Sequence, residues 1–82
     1  MQSNIGLNEL VPGERGIVTQ IDTTGSMRRR LLDIGLIPQT MVECVGQSAF
    51  GDPAAYLIRG AVIAIRAGDG RKIRITRLKE GT

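Results

Sequence analysis

Arginine side chains are the residues of this sequence best suited to recognising another molecule. The 82 residues include eleven Lys and Arg against eight Asp and Glu, a net charge of +3, and nine of these cations are Arg. Arg28, Arg29 and Arg30 are consecutive. Guanidinium groups bind carboxylates and phosphates in a bidentate geometry, so this excess predicts an acidic partner. An ordinary, slightly basic surface explains the same excess equally well.

The side chains that carry most enzyme and metal chemistry are scarce. The sequence has no His and a single Cys, Cys44. Without His there is no Ser–His or Cys–His nucleophile pair, and one Cys cannot fill the four positions of a zinc site. The carboxylates between residues 22 and 52 are widely spaced, and no phosphate-binding glycine loop is present. We therefore predict a non-enzymatic protein without metal or cofactor, in which Cys44 is a small core residue.

The elements that position the arginines are short and separated by Gly and Pro. Apolar residues form 41% and charged residues 23% of the chain, which is typical of a globular domain. We expect one domain over residues 1–82, with residues 1–6 as a flexible tail. Alternating apolar residues predict five strands, at 15–22, 40–46, 55–59, 61–66 and 72–78. Antiparallel pairing then gives a mainly β fold, a small and partly closed barrel with one inserted helix.

Turns and one helix connect these strands. Pro12 and Gly13 predict a type II turn, and Gly60 a tight turn between two strands. The helix is predicted over residues 26–35, with Ser26 as its N-cap and Gly35 just beyond its C-terminus. Met27, Leu31 and Ile34 share one helical face and are expected to pack on the core.

This placement puts the three arginines in the first helical turn, where the helix dipole disfavours cations by about 0.3–1 kcal/mol each. Pairs of Arg29 or Arg30 with Asp33 would recover a few tenths of a kcal/mol. Residues that oppose a local preference, such as cations at a helix N-terminus, are commoner at functional sites. The three arginines are explained equally well if their long side chains cover apolar surface. Leu57 is predicted to point outward between basic strand residues. The predicted partner-binding residues are Arg28, Arg29, Arg30, Leu57, Arg59 and Arg66.

An ordered series of short motifs runs through most of the chain. It comprises L-V-P-G-E-R-G at 10–16, R-R-R-L-L-D-I-G-L at 28–36, P-Q-T at 38–40, G-D-P at 51–53, I-R-G at 58–60 and I-A-I-R at 63–66. Over residues 7–78 the sequence resembles the FeoA family, small accessory proteins of bacterial ferrous-iron uptake. Gln39 departs from the Gly usual in that family, so this turn either differs in type or accepts Gln.

The resemblance implies an SH3-like barrel with a helical insertion that binds no metal itself. It also implies a partner, FeoB, a membrane transporter with a cytosolic GTPase domain, which FeoA-like proteins bind or regulate. The protein would then be cytoplasmic and reach the membrane only through FeoB. A lone Cys, no visible signal peptide and no long apolar run agree with this location. An exposed basic and leucine-bearing edge is compatible with self-association.

Other binding roles stay open at this stage. The same SH3-like module occurs in iron-dependent repressors, but no helix-turn-helix precedes the match, so nucleic acid is not the expected partner. Single-stranded RNA platforms and proline-peptide grooves both require several aromatic residues. Phe50 and Tyr56 are the only aromatic residues in the sequence, so its composition disfavours both of these roles.

Overall fold

Six antiparallel strands form one open sheet in the order β1-β6-β2-β3-β4-β5. The structure is a computed structural model, and it describes residues 4–78. The strands are β1 Asn4–Gly6, β2 Arg15–Ile21, β3 Met41–Gln47, β4 Ala54–Ile58, β5 Ala61–Ile65 and β6 Ile73–Arg77, the helices are α1 Gly25–Asp33 and α2 Ala67–Gly70, and Leu7–Glu9 forms a 3-10 turn. The mainly β fold with a helix between two early strands is thus confirmed. In the described part of the chain, no ladder joins β1 to β5.

The first strand, like the short helix α2, was not predicted from the sequence. Asn4, Ile5 and Gly6 pair with Thr76, Ile75 and Arg74 of β6, whereas we expected this stretch to be part of a flexible tail. Three residues are too few to produce an alternating pattern, so only the partner strand defines β1. Residues 1–3 of the expected tail lie outside the described residues.

The inner face of the sheet carries an aliphatic core with a single aromatic residue. Alternation along β4 and β5 buries Tyr56, Ile58, Ile63 and Ile65, and Cys44, which was predicted to be a core residue, is buried with them. The buried apolar residues are Leu7, Leu10, Val18, Leu31, Leu36, Val42, Cys44, Ala54, Tyr56, Ile58, Ile63, Ile65, Ile73 and Ile75. Burial raises the pKa of the Cys44 thiol, because the core disfavours its thiolate.

Helix α1 begins one residue before its predicted N-cap. Its N-cap is Thr24 and not Ser26. Its C-terminal end matches the prediction, since Gly35 has a φ of +87°. Leu36 N–H donates to Leu31 O at 2.9 Å and Gly35 N–H to Leu32 O at 3.0 Å. These two bonds form a Schellman motif, which requires the left-handed residue that Gly supplies without steric cost.

Two tight turns set the strand register beside the helix. Arg59 and Gly60 both have positive φ, 49° and 83°, so they form the two-residue hairpin turn between β4 and β5. In the connection after α1, Gln39 has a φ of 82°, and Thr40 N–H donates to Ile37 O at 3.1 Å. This is a type II turn in which Gln occupies the position that favours Gly. Gln39 N–H also donates to Val18 O at 2.7 Å, which holds the turn on β2.

The Pro12-Gly13 turn also forms as predicted. Gly13 has a φ of +97° and Glu14 N–H donates to Val11 O at 3.0 Å. Gly13 N–H donates in turn to Cys44 O at 2.8 Å, so the turn is fixed to β3.

Candidate partner-binding surface

The three consecutive arginines lie in the middle and last turns of α1, not in its first turn. Because the helix starts at Gly25, Arg28 is its fourth residue and Arg30 falls in the last turn. The dipole acts within the first and last turns, and it favours cations at the C-terminal end. The predicted conflict between these charges and the dipole is therefore wrong, and Arg30 is favourably placed.

The arginines of α1 also lack the carboxylate partners that the sequence predicted. In residues 4–78, neither Arg29 nor Arg30 approaches Asp33 closely enough for an ion pair, whereas Arg77 Nε lies 3.5 Å from Glu14 Oε1. Arg28 Nη1 lies 3.4 Å from Ile21 O and 3.5 Å from Thr23 O, two long contacts with the connection before the helix. Arg29 and Arg30 are exposed. These cations are thus available to an acidic ligand.

An apolar groove runs beside these cations. It encloses about 250 Å³ and is lined by Ile21, Arg28, Leu31, Leu32, Leu36, Ile37 and Pro38; we call it the helix groove. Leu32 and Ile37 are about half exposed, although both are large and apolar. A shallower depression on the same helix continues from it past Arg28 and Arg29. The surface therefore offers apolar contact next to positive charge.

Sequence reasoning missed Leu32 and Ile37, the two exposed apolar residues of the helix groove. Leu32 falls one position after the core residue Leu31, so its helical phase alone places it beside the core-facing stripe. The position of Leu32 around the helix therefore indicated, from the sequence alone, an apolar residue at the margin of the core. Ile37 lies in an irregular connection, where no periodicity predicts exposure.

A second exposed surface lies on the outer face of β3, β4 and β5. Leu57 points outward as predicted and is 36% exposed, between Glu43 of β3 and Val62 of β5. Met41, Leu57 and Arg59 line a shallow depression on this face. By contrast, Tyr56 and Ile58, the neighbours of Leu57 in β4, point inward and are buried.

The structure unites some of the predicted binding residues and separates others. Arg59 Nε donates to Gly35 O at 2.9 Å, so this cation sits against the C-terminal end of α1. Arg66 is exposed just beyond the opposite end of β5. Five residue steps of about 3.4 Å place it about 17 Å along the strand from the turn that holds Arg59. Arg59 therefore lies at the C-terminal end of the helix that carries Arg28, Arg29 and Arg30, and Arg66 lies at the other end of β5.

Two further observations concern the whole described region. Within residues 4–78, no three Cys, Asp or Glu side chains come together in an arrangement that could hold a metal ion. The longest helix there, α1, has nine residues, too few for a helix to cross a bilayer.

Comparison with known proteins places this fold and sequence in one family. The model of the FeoA domain matches residues 5–77. An Fe(2+) transport protein A/Fe(2+) transporter FeoB fusion protein of Porphyromonas gingivalis is 26% identical over 69 residues, which are 84% of this chain and 8% of the fusion protein. The chain thus spans less than a tenth of the length of this curated relative.

Solved structures agree with this result. The structure of a FeoA-like protein from Clostridium acetobutylicum is 29% identical, with a TM-score of 0.83 over 100% of this chain and 95% of that one. Stenotrophomonas maltophilia FeoA complexed with zinc, described as a prokaryotic SH3 domain protein, is 17% identical, with a TM-score of 0.78 over 94% of this chain and 99% of that one. The latter shows the SH3-like fold alone. Since the family model covers nearly the whole described region, the chain belongs to the FeoA family.

Proposed function

We propose that this chain is a non-enzymatic accessory protein of ferrous-iron uptake, which binds the FeoB transporter at its cytosolic GTPase region. The observation that carries this proposal is the Porphyromonas gingivalis protein, in which a domain similar to this chain shares one polypeptide with FeoB. Domains that work together are found both fused and as separate chains. In this role the domain would act in the cytoplasm and reach the membrane only through the transporter.

The helix groove is the docking surface that we favour. Arg28 borders it and Arg29 lies next to it, while Leu32 and Ile37 present apolar surface inside it. A matching segment would insert one or two apolar side chains and place carboxylates against the guanidinium groups. Among the residues predicted from sequence, Arg28, Arg29 and Arg30 stay in this proposal. Leu57 and Arg59 lie across the 34–40 connection and would contact only a larger partner.

An amide titration tests both the partner and the surface. Isotope-labelled protein is titrated with the cytosolic region of the cognate ferrous-iron transporter. Shifts clustered on Ile21, α1 and residues 36–38 are expected. Shifts produced by a short DNA or RNA instead would replace the proposal with a nucleic-acid role. An absence of shifts with the transporter region would refute binding to that region.

A pair of charge reversals separates local docking from long-range attraction. Arg29→Glu and Arg66→Glu change the net charge by the same amount, but only Arg29 lies beside the helix groove. We expect Arg29→Glu to weaken transporter binding by about tenfold or more, and Arg66→Glu to have a much smaller effect. Equal weakening by both variants would show that the groove is not the contact.

A further inference from the structure

The two edges of the open sheet differ in how far they are protected against pairing. β1 is only three residues long, and short edge strands pair poorly with other chains. β5 has five residues, all of them apolar, in the sequence A-V-I-A-I. Its pairing with β4 runs from Ala54–Ile65 to Ile58–Ala61 without a register shift. β5 thus contains no charge, no proline and no bulge, which are the usual devices that block an edge.

The backbone groups that β5 presents outward follow from the hairpin register. In a two-residue hairpin, the residues that flank the turn form a hydrogen-bonded pair, here Ile58 and Ala61. Ile63 and Ile65, two and four residues on, therefore also direct their N–H and C=O groups at β4. Val62 and Ala64 alternate with them and direct theirs away from β4. No other strand lies on that side of β5 within the described sheet.

The side chains on this edge suit an apolar neighbour. Val62 is 64% exposed and Ala64 is exposed, so the outer face beside the edge is apolar and open to solvent. Ile63 is 8% exposed and already belongs to the core. A strand added at this edge would cover Val62 without disturbing any core contact.

We propose that β5 pairs with β5 of a second copy of this chain, antiparallel and related by a two-fold axis at Ile63. In this register Val62 of each copy lies opposite Ala64 of the other, and the four outward N–H groups meet four outward C=O groups. Side chains on the outer face stay together, because antiparallel partners point to the same side of a sheet. A second copy fits because it supplies an edge of equal length, without charge, in which each exposed residue faces another apolar residue.

The charges at the ends of β5 make this dimer weak and dependent on salt. In the proposed register Arg66 of one copy lies opposite Gly60 of the other, next to Arg59. These like charges repel at both ends of the paired strands. Added salt screens exposed charges, so the dimer fraction is expected to rise with ionic strength. Association driven by ion pairs at another surface would respond in the opposite direction.

Sedimentation over about a hundredfold range of protein concentration measures the dimer by mass action. The proposal predicts a monomer–dimer equilibrium. Val62→Lys places a charge on the edge and is expected to weaken the dimer by about tenfold or more. Leu57→Lys, its neighbour on β4, adds the same charge to the same face away from the edge and is expected to weaken it much less. Ala64→Pro removes an outward N–H while sparing the β4 ladder, and is expected to weaken the dimer as well.

A backbone readout tests the register directly. In a mixture of labelled and unlabelled protein, an intermolecular cross-peak between the two Ile63 Hα atoms is expected, because a pair without hydrogen bonds brings its Cα atoms to about 4.5 Å. A monomer at every concentration, or a dimer that Val62→Lys and Leu57→Lys weaken equally, would overturn the proposal. This inference does not depend on transporter binding, and Val62→Lys leaves the helix groove unchanged.

Discussion

Tyr56 offers the sharpest test of the core, because it is the only tyrosine and the chain has no tryptophan. Its side chain is 1% exposed, and its hydroxyl donates to Leu7 O at 3.3 Å. Burial raises the pKa of Tyr56 to about 12 from its ordinary value of 10.0, with smaller contributions from Cys44 and Asp52. The folded protein therefore holds this proton more tightly than the unfolded chain does.

The sign and size of the effect on stability follow from linkage. The stabilisation is complete below about pH 10 and is lost as the pH rises toward about 12, since the unfolded chain ionises first. Each pKa unit corresponds to about 1.4 kcal/mol, so the full loss over about two units is about 3 kcal/mol. At about pH 11, about half of this stabilisation is expected to have disappeared.

The assay combines direct titration with unfolding by urea. Because the sequence has no other tyrosine and no tryptophan, tyrosinate absorbance of the native protein reports the pKa of Tyr56 alone. Urea unfolding of the wild type and of Tyr56→Phe, at neutral pH and at about pH 11, isolates the tyrosine contribution. The Cys44 thiol, whose pKa is also raised, loses stabilisation in the same direction in both proteins.

Tyr56→Phe is expected to cost only about 0.5–1.5 kcal/mol at neutral pH. Leu7 O still accepts from Leu10 N–H at 3.1 Å, so no buried acceptor is left unpaired. The variant should then lose less stability than the wild type on going to about pH 11. A native tyrosine that titrates near its ordinary value, or an equal alkaline loss in the variant, would refute the reasoning.

Two further predictions concern the connections. Gly35→Ala places a side chain at a positive φ, and its Cβ would lie 2.7 Å from Arg59 Cδ. We therefore expect the free energy of unfolding in urea to fall by about 1–2 kcal/mol. Gly46→Ala, with no atom within 4 Å of the new Cβ, is the matched control and should change stability little. Asp52→Ala removes the acceptor of Ala67 N–H at 2.8 Å and should lower the free energy of unfolding by about 1 kcal/mol. Asp52→Asn keeps an acceptor oxygen and should retain most of this stability. Equal losses in the two variants would show that the hydrogen bond contributes nothing.

Periodicity in the sequence was sufficient to predict the strands that carry the core. Alternation in β4 separated the buried Tyr56 and Ile58 from the outward Leu57, because burial on one face is what selects those residues. The Gly at position 35 likewise predicted the helix end, since its backbone conformation is one that few other residues adopt. These signals lie within short stretches of sequence, so they can be recognised without knowing which distant residues pack against them.

Features set by distant contacts could not be predicted in this way. β1 exists because β6 lies beside it. Gln39 adopts positive φ because hydrogen bonds to β2 hold its turn. The position of Arg59 also depends on such a contact: its Nε donates to Gly35 O, and no pattern in the sequence reports that bond.

The pairing of Asn4 with Thr76 means that the chain enters and leaves the sheet at one edge. That edge is at the far end of the strand order from β5. A transporter joined covalently to either end would be tethered there, and a short tether maintains a high local concentration whatever the affinity. A chain made without that tether must meet its partner through free diffusion. Its docking surface is therefore expected to bind more tightly than the same surface excised from a fusion protein.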